Sequence, residues 1–189
     1  DTTRLAPTDL KRILMGQFGG PGKRPLRIFL TSFGYRNGLP RDADLVLIST
    51  PVGQMPEVMA QIAPALRSNT IITDGGSTKQ DVVAYAKRFL GAHFERFVPS
   101  HPIAGTEKSG AGAAFPELFR KRTVILAPQA ENQPAAVRLV RAAWEACGAH
   151  VIELQARRHD EIFAAVSHLP HVAAFALVSM LARREDAAE

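Results

Sequence analysis

The stretch Ser100-His101-Pro102-Ile103-Ala104-Gly105-Thr106-Glu107-Lys108-Ser109-Gly110 gathers a histidine, a proline, glycines, a carboxylate and a lysine on one short connection. It follows the apolar run Phe94 to Val98, which reads as a strand. Polar clusters just outside strand ends are where open α/β sheets build their sites. A neutral imidazole accepts a proton near neutral pH, so His101 suits general-base work. The bland alternative is a loop histidine that hydrogen-bonds local backbone.

Further chemistry-bearing residues sit on other connections. Ser77 follows the run Thr70 to Thr73 and precedes a helix, so it reads as an N-cap, and with Gln80 it matches a capping box. Helix N-termini also receive anions and cofactors, so a cap and a site role are compatible. Ser167, His168 and His171 lie at helical spacing and could wall a pocket or form an exposed polar face. A metal role is weak, because helical zinc motifs space their histidines i, i+4 with a third ligand elsewhere. Thr106, Glu107 and Lys108 could gate a pocket or be solvated loop. Thr50-Pro51-Val52 ends a strand with a turn of the kind that borders the cofactor in dinucleotide folds.

The elements that must position these residues alternate. Strands are expected at Leu26–Leu30, Leu45–Ile48, Thr70–Thr73, Phe94–Val98, Thr123–Leu126 and His150–Leu154, and helices from Pro56 to Leu66, from Ser77 to Leu90 and around Val137, Val140 and Trp144. Gly148 is a natural helix stop. From His159 to about Arg184 one long helix is expected, with Pro170 bending it or removing a backbone hydrogen bond. Alternation of this kind implies an α/β fold, a mostly parallel sheet with helices on both faces. The final helix has an apolar face that needs either the α/β domain or a second subunit to cover it.

Bulk properties narrow the function classes. The 189 residues include 46% hydrophobic and 22% charged, enough for one domain with a core and part of a second. The net charge of +5 fits a mildly basic globular protein or an enzyme that attracts a polyanionic substrate. The basic residues are scattered without an aromatic-rich motif, which argues against nucleic acid as a partner. No apolar run is expected to span a membrane. The single Cys147 rules out an internal disulfide and fits a reducing compartment such as the cytoplasm. The glycines at 16, 19, 20 and 22 fail the dinucleotide fingerprint, with wrong spacing and Pro21 and Pro25 close behind.

The run Asp44 to Leu181 resembles the prephenate dehydrogenase family, which includes the arogenate and cyclohexadienyl dehydrogenases. The resemblance rests on Ala43-Asp44-Leu45-Val46-Leu47-Ile48-Ser49-Thr50-Pro51-Val52, Thr73-Asp74-Gly75-Gly76-Ser77-Thr78-Lys79, His101 to Gly110, and His159-Asp160 with Ser167-His168-Leu169-Pro170-His171. It implies a Rossmann-like NAD(P)-binding domain over residues 1–155, with 1–42 atypical. The start of an all-α dimerisation and substrate domain follows over 156–189. It also implies a cytoplasmic homodimer joined through the helical region, and oxidative decarboxylation of prephenate to 4-hydroxyphenylpyruvate with NAD or NADP, in tyrosine biosynthesis. Arogenate dehydrogenation and a non-catalytic fragment are the alternative readings. By the same resemblance His101 is the catalytic base and Ser77 orients it near the nicotinamide. Ser167, His171, Thr106 and Glu107 bind substrate, and Thr50, Pro51 and Val52 lie beside the cofactor. No metal is implied. The family's glycine loop is not recognisable before residue 43, nor is a substrate-binding arginine after the long helix, so a fragment with weak turnover is expected.

Overall fold

The computed structural model describes residues 28–31, 43–105, 115 and 117–183. The glycines at 16 to 22, and Thr106 and Glu107, lie outside the described residues.

Short apolar runs form the parallel strands β1 (Ile28–Thr31), β2 (Leu45–Ile48) and β3 (Ile71–Asp74), and Phe97–Val98 adds β4. Their order is β1-β2-β3-β4, with Leu45 opposite Ile71 and Ile72 opposite Phe97. β4 is shorter than the expected run from Phe94. Gly91 takes φ 53°, and Gly91–Arg96 winds as a 3-10 helix from which Phe94 packs inward.

Pro99 then interrupts the ladder, because proline has no N–H to donate. The chain switches partners there. β5 (Ser100–Pro102) pairs antiparallel with β6 (Thr123–Leu126), which pairs parallel with β7 (His150–Glu153). His101 therefore stands on a strand, opposite Ile125, and not on the expected loop.

Alternation along the strands divides the core into two layers. Val46, Ile48 and Ile72 face α1 (Met55–Ile62) and α2 (Gln80–Phe89), burying Met55, Met59, Ile62, Val82 and Ala86. Leu45, Val98, Val124 and Leu126 face α3 (Pro134–Ala146) through Ala136, Val140 and Trp144. Each large apolar side chain so buried contributes about 1.5–3 kcal/mol. Gly148 ends α3 at φ 79°, where a Cβ would also stand 3.2 Å from Arg120 Cγ.

The last helix begins at Ala156 and runs through α4 (Ala156–Phe163), a π turn at Ala164–His168 and α5 (Leu169–Leu181). The π turn answers the expectation at Pro170. The Leu169 N–H reaches back to the Ala164 carbonyl, and Pro170 falls in the first turn of α5, where no donor is needed. No Asp, Glu, Lys or Arg falls between Glu161 and Arg183. The 26-residue helix Ala156–Leu181, with mean hydropathy 1.6 over its most apolar stretch, is therefore long and apolar enough to cross a bilayer, contrary to expectation. Its three histidines and its proline disguise that length in the sequence.

Candidate active site

The site lies beyond the carboxyl ends of β2 and β3, the usual crevice of an open α/β sheet. Asp74 ends β3 and is wholly buried. Its carboxylate accepts the N–H of Gly76 at 2.8 Å, the N–H of Ser100 at 2.9 Å and the Lys79 ammonium at 2.5 Å. Lys79 is equally buried and also donates to the Ser100 carbonyl at 2.6 Å. The Ser100 hydroxyl bonds the Asp74 carbonyl, Thr73 Oγ1 and Trp144 Nε1. Burial pushes Asp74 up and Lys79 down, and each opposes the other's shift by pairing. This knot ties β3, β5 and the start of α2 together one residue before His101. A Cβ at Gly76 would stand 3.0 Å from Asp74 Oδ2 and Met55 Cε, so a side chain there would force the Asp74 carboxylate or Met55 to shift.

His101 Nδ1 lies 2.8 Å from His159 Nε2, and His159 Nδ1 lies 2.8 Å from Asp160 Oδ1. Phe163 covers both rings, stacking on His159 at 4.6 Å and meeting His101 edge-on at 5.1 Å. Burial first, then the charges of His159, Lys79 and His168, lower His101 to about 4, so it is neutral at physiological pH. Burial also lowers His159, against the opposing pull of Asp160. Partial burial alone would raise Asp160, but hydrogen bonds from Gln80, His159 and Lys79 outweigh it and hold the carboxyl below its usual range.

The expected capping box at Ser77 and Gln80 does not form. The cap comes from another helix: Asp160 accepts the Lys79 N–H at 2.7 Å and the Gln80 N–H at 2.8 Å. A carboxylate there meets the positive end of the α2 dipole as well as two orphan donors. Ser77 is exposed on the turn before α2, and the hydrogen-bond partner of the His101 ring is His159 rather than Ser77. Ser167 and His168 are half-buried on the π turn. His171 is exposed, its Nδ1 2.8 Å from the Ser167 carbonyl. Thr50, Pro51 and Val52 form the turn leaving β2.

A dinucleotide fits the crevice chemically. Thr50 Oγ1 and Thr78 Oγ1 are buried without hydrogen-bond partners, one on the turn after β2 and one on the turn after β3. Buried hydroxyls left unpaired await a polar ligand. The glycine turn between them gives backbone close access. Among the described residues no cluster of metal ligands occurs.

Asp74, Lys79, His159 and Asp160 carry much of this geometry, yet none of them has an individual role legible in the sequence. Asp74 and Lys79 bracket a glycine turn after an apolar strand, a signal that a charge pair could be buried there. Asp160 acts across the fold, and nothing local announces it.

The model of the prephenate dehydrogenase nucleotide-binding domain matches residues 36–153, and that of the dimerization domain of the same enzymes matches 155–189. The chain belongs to the prephenate dehydrogenase family. Cyclohexadienyl dehydrogenase of Zymomonas mobilis is 43% identical over 77% of the chain and 49% of its own length. Prephenate dehydrogenase of Bacillus subtilis is 35% identical over 77% of the chain and 39% of its own length. Among solved structures, Aquifex aeolicus prephenate dehydrogenase in complex with hydroxyphenyl propionate and NAD+ is 39% identical. It superposes with a TM-score of 0.69 over 74% of this chain and 48% of its own, and another structure of Aquifex aeolicus prephenate dehydrogenase superposes with the same score over 73% and 49%. The chain thus spans about half the length or less of these family members.

Proposed function

We propose that this chain carries the base and the cofactor side of an enzyme that converts prephenate to 4-hydroxyphenylpyruvate in tyrosine biosynthesis. NAD or NADP, when bound, accepts hydride from the ring carbon that bears the hydroxyl. The observation that supports this best is a neutral, half-covered imidazole, His101, held at the crevice by a fixed partner on Nδ1. Its Nε2 is left to take the substrate hydroxyl proton. As the carbonyl forms, the ring carboxylate leaves as carbon dioxide and its bonding electrons complete the aromatic ring. His101 then returns its proton to the phenolate oxygen, so the base ends as it began.

Thr50, Thr78 and the turn at Pro51 and Val52 would hold the nucleotide, with Ser77 beside the nicotinamide and the substrate hydroxyl. Ser167 and His171, on the helix facing the site, would hold the substrate together with Thr106 and Glu107. The buried Lys79–Asp74 pair neutralises itself, which leaves the imidazole as the base. The Zymomonas relative is a cyclohexadienyl dehydrogenase, which favours the shared ring, rather than the side chain, as the recognised feature. Prephenate and arogenate are therefore both to be assayed.

His101→Asn in the full-length protein should lower kcat by about 100- to 10,000-fold with nucleotide affinity unchanged. The appearance of reduced nicotinamide, together with nucleotide titration, measures both. Undiminished turnover would remove His101 from the base role.

A further inference from the structure

We infer that Asp160 and His159 form a positioning relay that fixes the tautomer of His101 and so presents its Nε2 lone pair to the substrate. The inference rests on His101 being the base of the proposed reaction, and it concerns groups that do not themselves meet the reacting atoms.

The direction of each hydrogen bond follows from the first. An ionised carboxylate only accepts. Asp160 already accepts the Lys79 and Gln80 N–H groups at 2.7 Å and 2.8 Å, and it lies 2.8 Å from His159 Nδ1. That nitrogen must therefore carry the hydrogen. In a neutral imidazole the other nitrogen is then bare, so His159 Nε2 is an acceptor. Its partner 2.8 Å away is His101 Nδ1, which must be the donor. His101 in turn is left with a bare Nε2. The tautomer usual for a free histidine side chain, with hydrogen on Nε2, could not act as base at that atom. Asp160 reverses that preference across two rings.

The surroundings keep the relay in this state. Phe163 lies over both rings and limits water from competing for the inner nitrogens. His159 is fully buried, which favours its neutral form. Once Nε2 takes a proton, His101 becomes an imidazolium whose Nδ1–H bond to His159 is charge-assisted. The transient charge then meets an oriented imidazole backed by a carboxylate. The relay also links elements: Asp160 and His159 belong to α4, the bonded backbone belongs to α2, and His101 belongs to β5. A shift of α4 relative to the sheet would break the relay and silence the base.

Asp160→Asn tests the relay. The Lys79 N–H and His159 Nδ1 share Asp160 Oδ1, and the Gln80 N–H takes Oδ2. With Asn Oδ1 kept on the Gln80 N–H, the amide takes the other place, gives up the Lys79 bond and donates to His159 Nδ1, moving hydrogen to His159 Nε2 and then to His101 Nε2. Nitrogen-15 imidazole spectra of the 189-residue chain, assigned with His101→Asn, should show His101 protonated on Nδ1. In Asp160→Asn the proton should appear on Nε2. In the full-length protein that variant should lose about 1,000- to 10,000-fold in kcat with nucleotide affinity unchanged, and Asp160→Glu should recover part of the loss.

Wild-type His101 protonated on Nε2 overturns the relay, and needs no variant to fold. Loss of turnover in Asp160→Asn without the change of tautomer also overturns it. If the full-length protein turns over neither prephenate nor arogenate while the tautomers are as stated, the substrate reading fails and the relay stands.

Discussion

At the residue scale, the chemistry turns on how the fold treats four histidine nitrogens and the Asp160 carboxylate. His101 was visible in the sequence because it is a histidine near a strand end. Its partners were not, because a ring–ring contact between residues 58 positions apart has no local pattern. The same environment makes a pH prediction. His101 is lowered by burial, then by its neighbours, from 6.5 to about 4. Between these values the unfolded chain holds a proton that the folded chain refuses. This contribution to stability is therefore complete above about pH 6.5 and is lost as pH falls toward about 4. Burial lowers His159 as well, so it acts in the same sense. Urea midpoints should drop between neutral pH and about pH 5, and His101→Asn should flatten the drop. An unchanged midpoint across this range would show that neither ring is held neutral by the fold.

At the element scale, strands β2, β3 and β6 could be read directly, because continuous Val, Leu and Ile runs mark strands buried on both faces. The helix spacing of Val140 and Trp144 was equally plain, as was the stop at Gly148. Boundaries governed by tertiary contacts were not. The start of α2 looked like a capping box within its own sequence, but Asp160 takes the cap from α4. The run before His101 reads as a strand from Phe94, since a 3-10 turn and a strand use an inward phenylalanine alike. Pro99 was present in the sequence, yet only the sheet order shows that it transfers the chain from β3 to β6. The element with most to lose is the junction held by Lys79. Lys79→Met would strand the buried Asp74 carboxylate and should destabilise the fold by about 3–5 kcal/mol. Adding Asp74→Asn should recover much of that, since the uncompensated charge is gone. Chemical denaturation of both variants measures it, and a Lys79→Met midpoint equal to wild type would mean the pair is not a structural clamp.

At the scale of the whole molecule, the α/β core is closed while the final helix is not. Leu169, Val172, Phe175, Val178 and Met180 on α5 are each more than half exposed. A helix apolar on all sides is stable in water only when other protein covers it, and in a bilayer only when lipid does. Two observations favour protein. Residues 155–189 match the family's dimerization domain. The same helix also carries His159 and Asp160 at its start, packed against α2, which fixes that end to a water-exposed domain. We therefore propose a second copy of the chain as the cover, in a homodimer. Sedimentation without detergent should show a dimer that dissociates on dilution. Phe175→Glu or Val172→Glu should shift it toward monomer by placing an unpaired charge in the apolar interface. Neither substitution touches the His101 relay, so the imidazole tautomers should stay as in the wild type. A chain that stays monomeric at high concentration, or that partitions into lipid vesicles, would overturn the dimer.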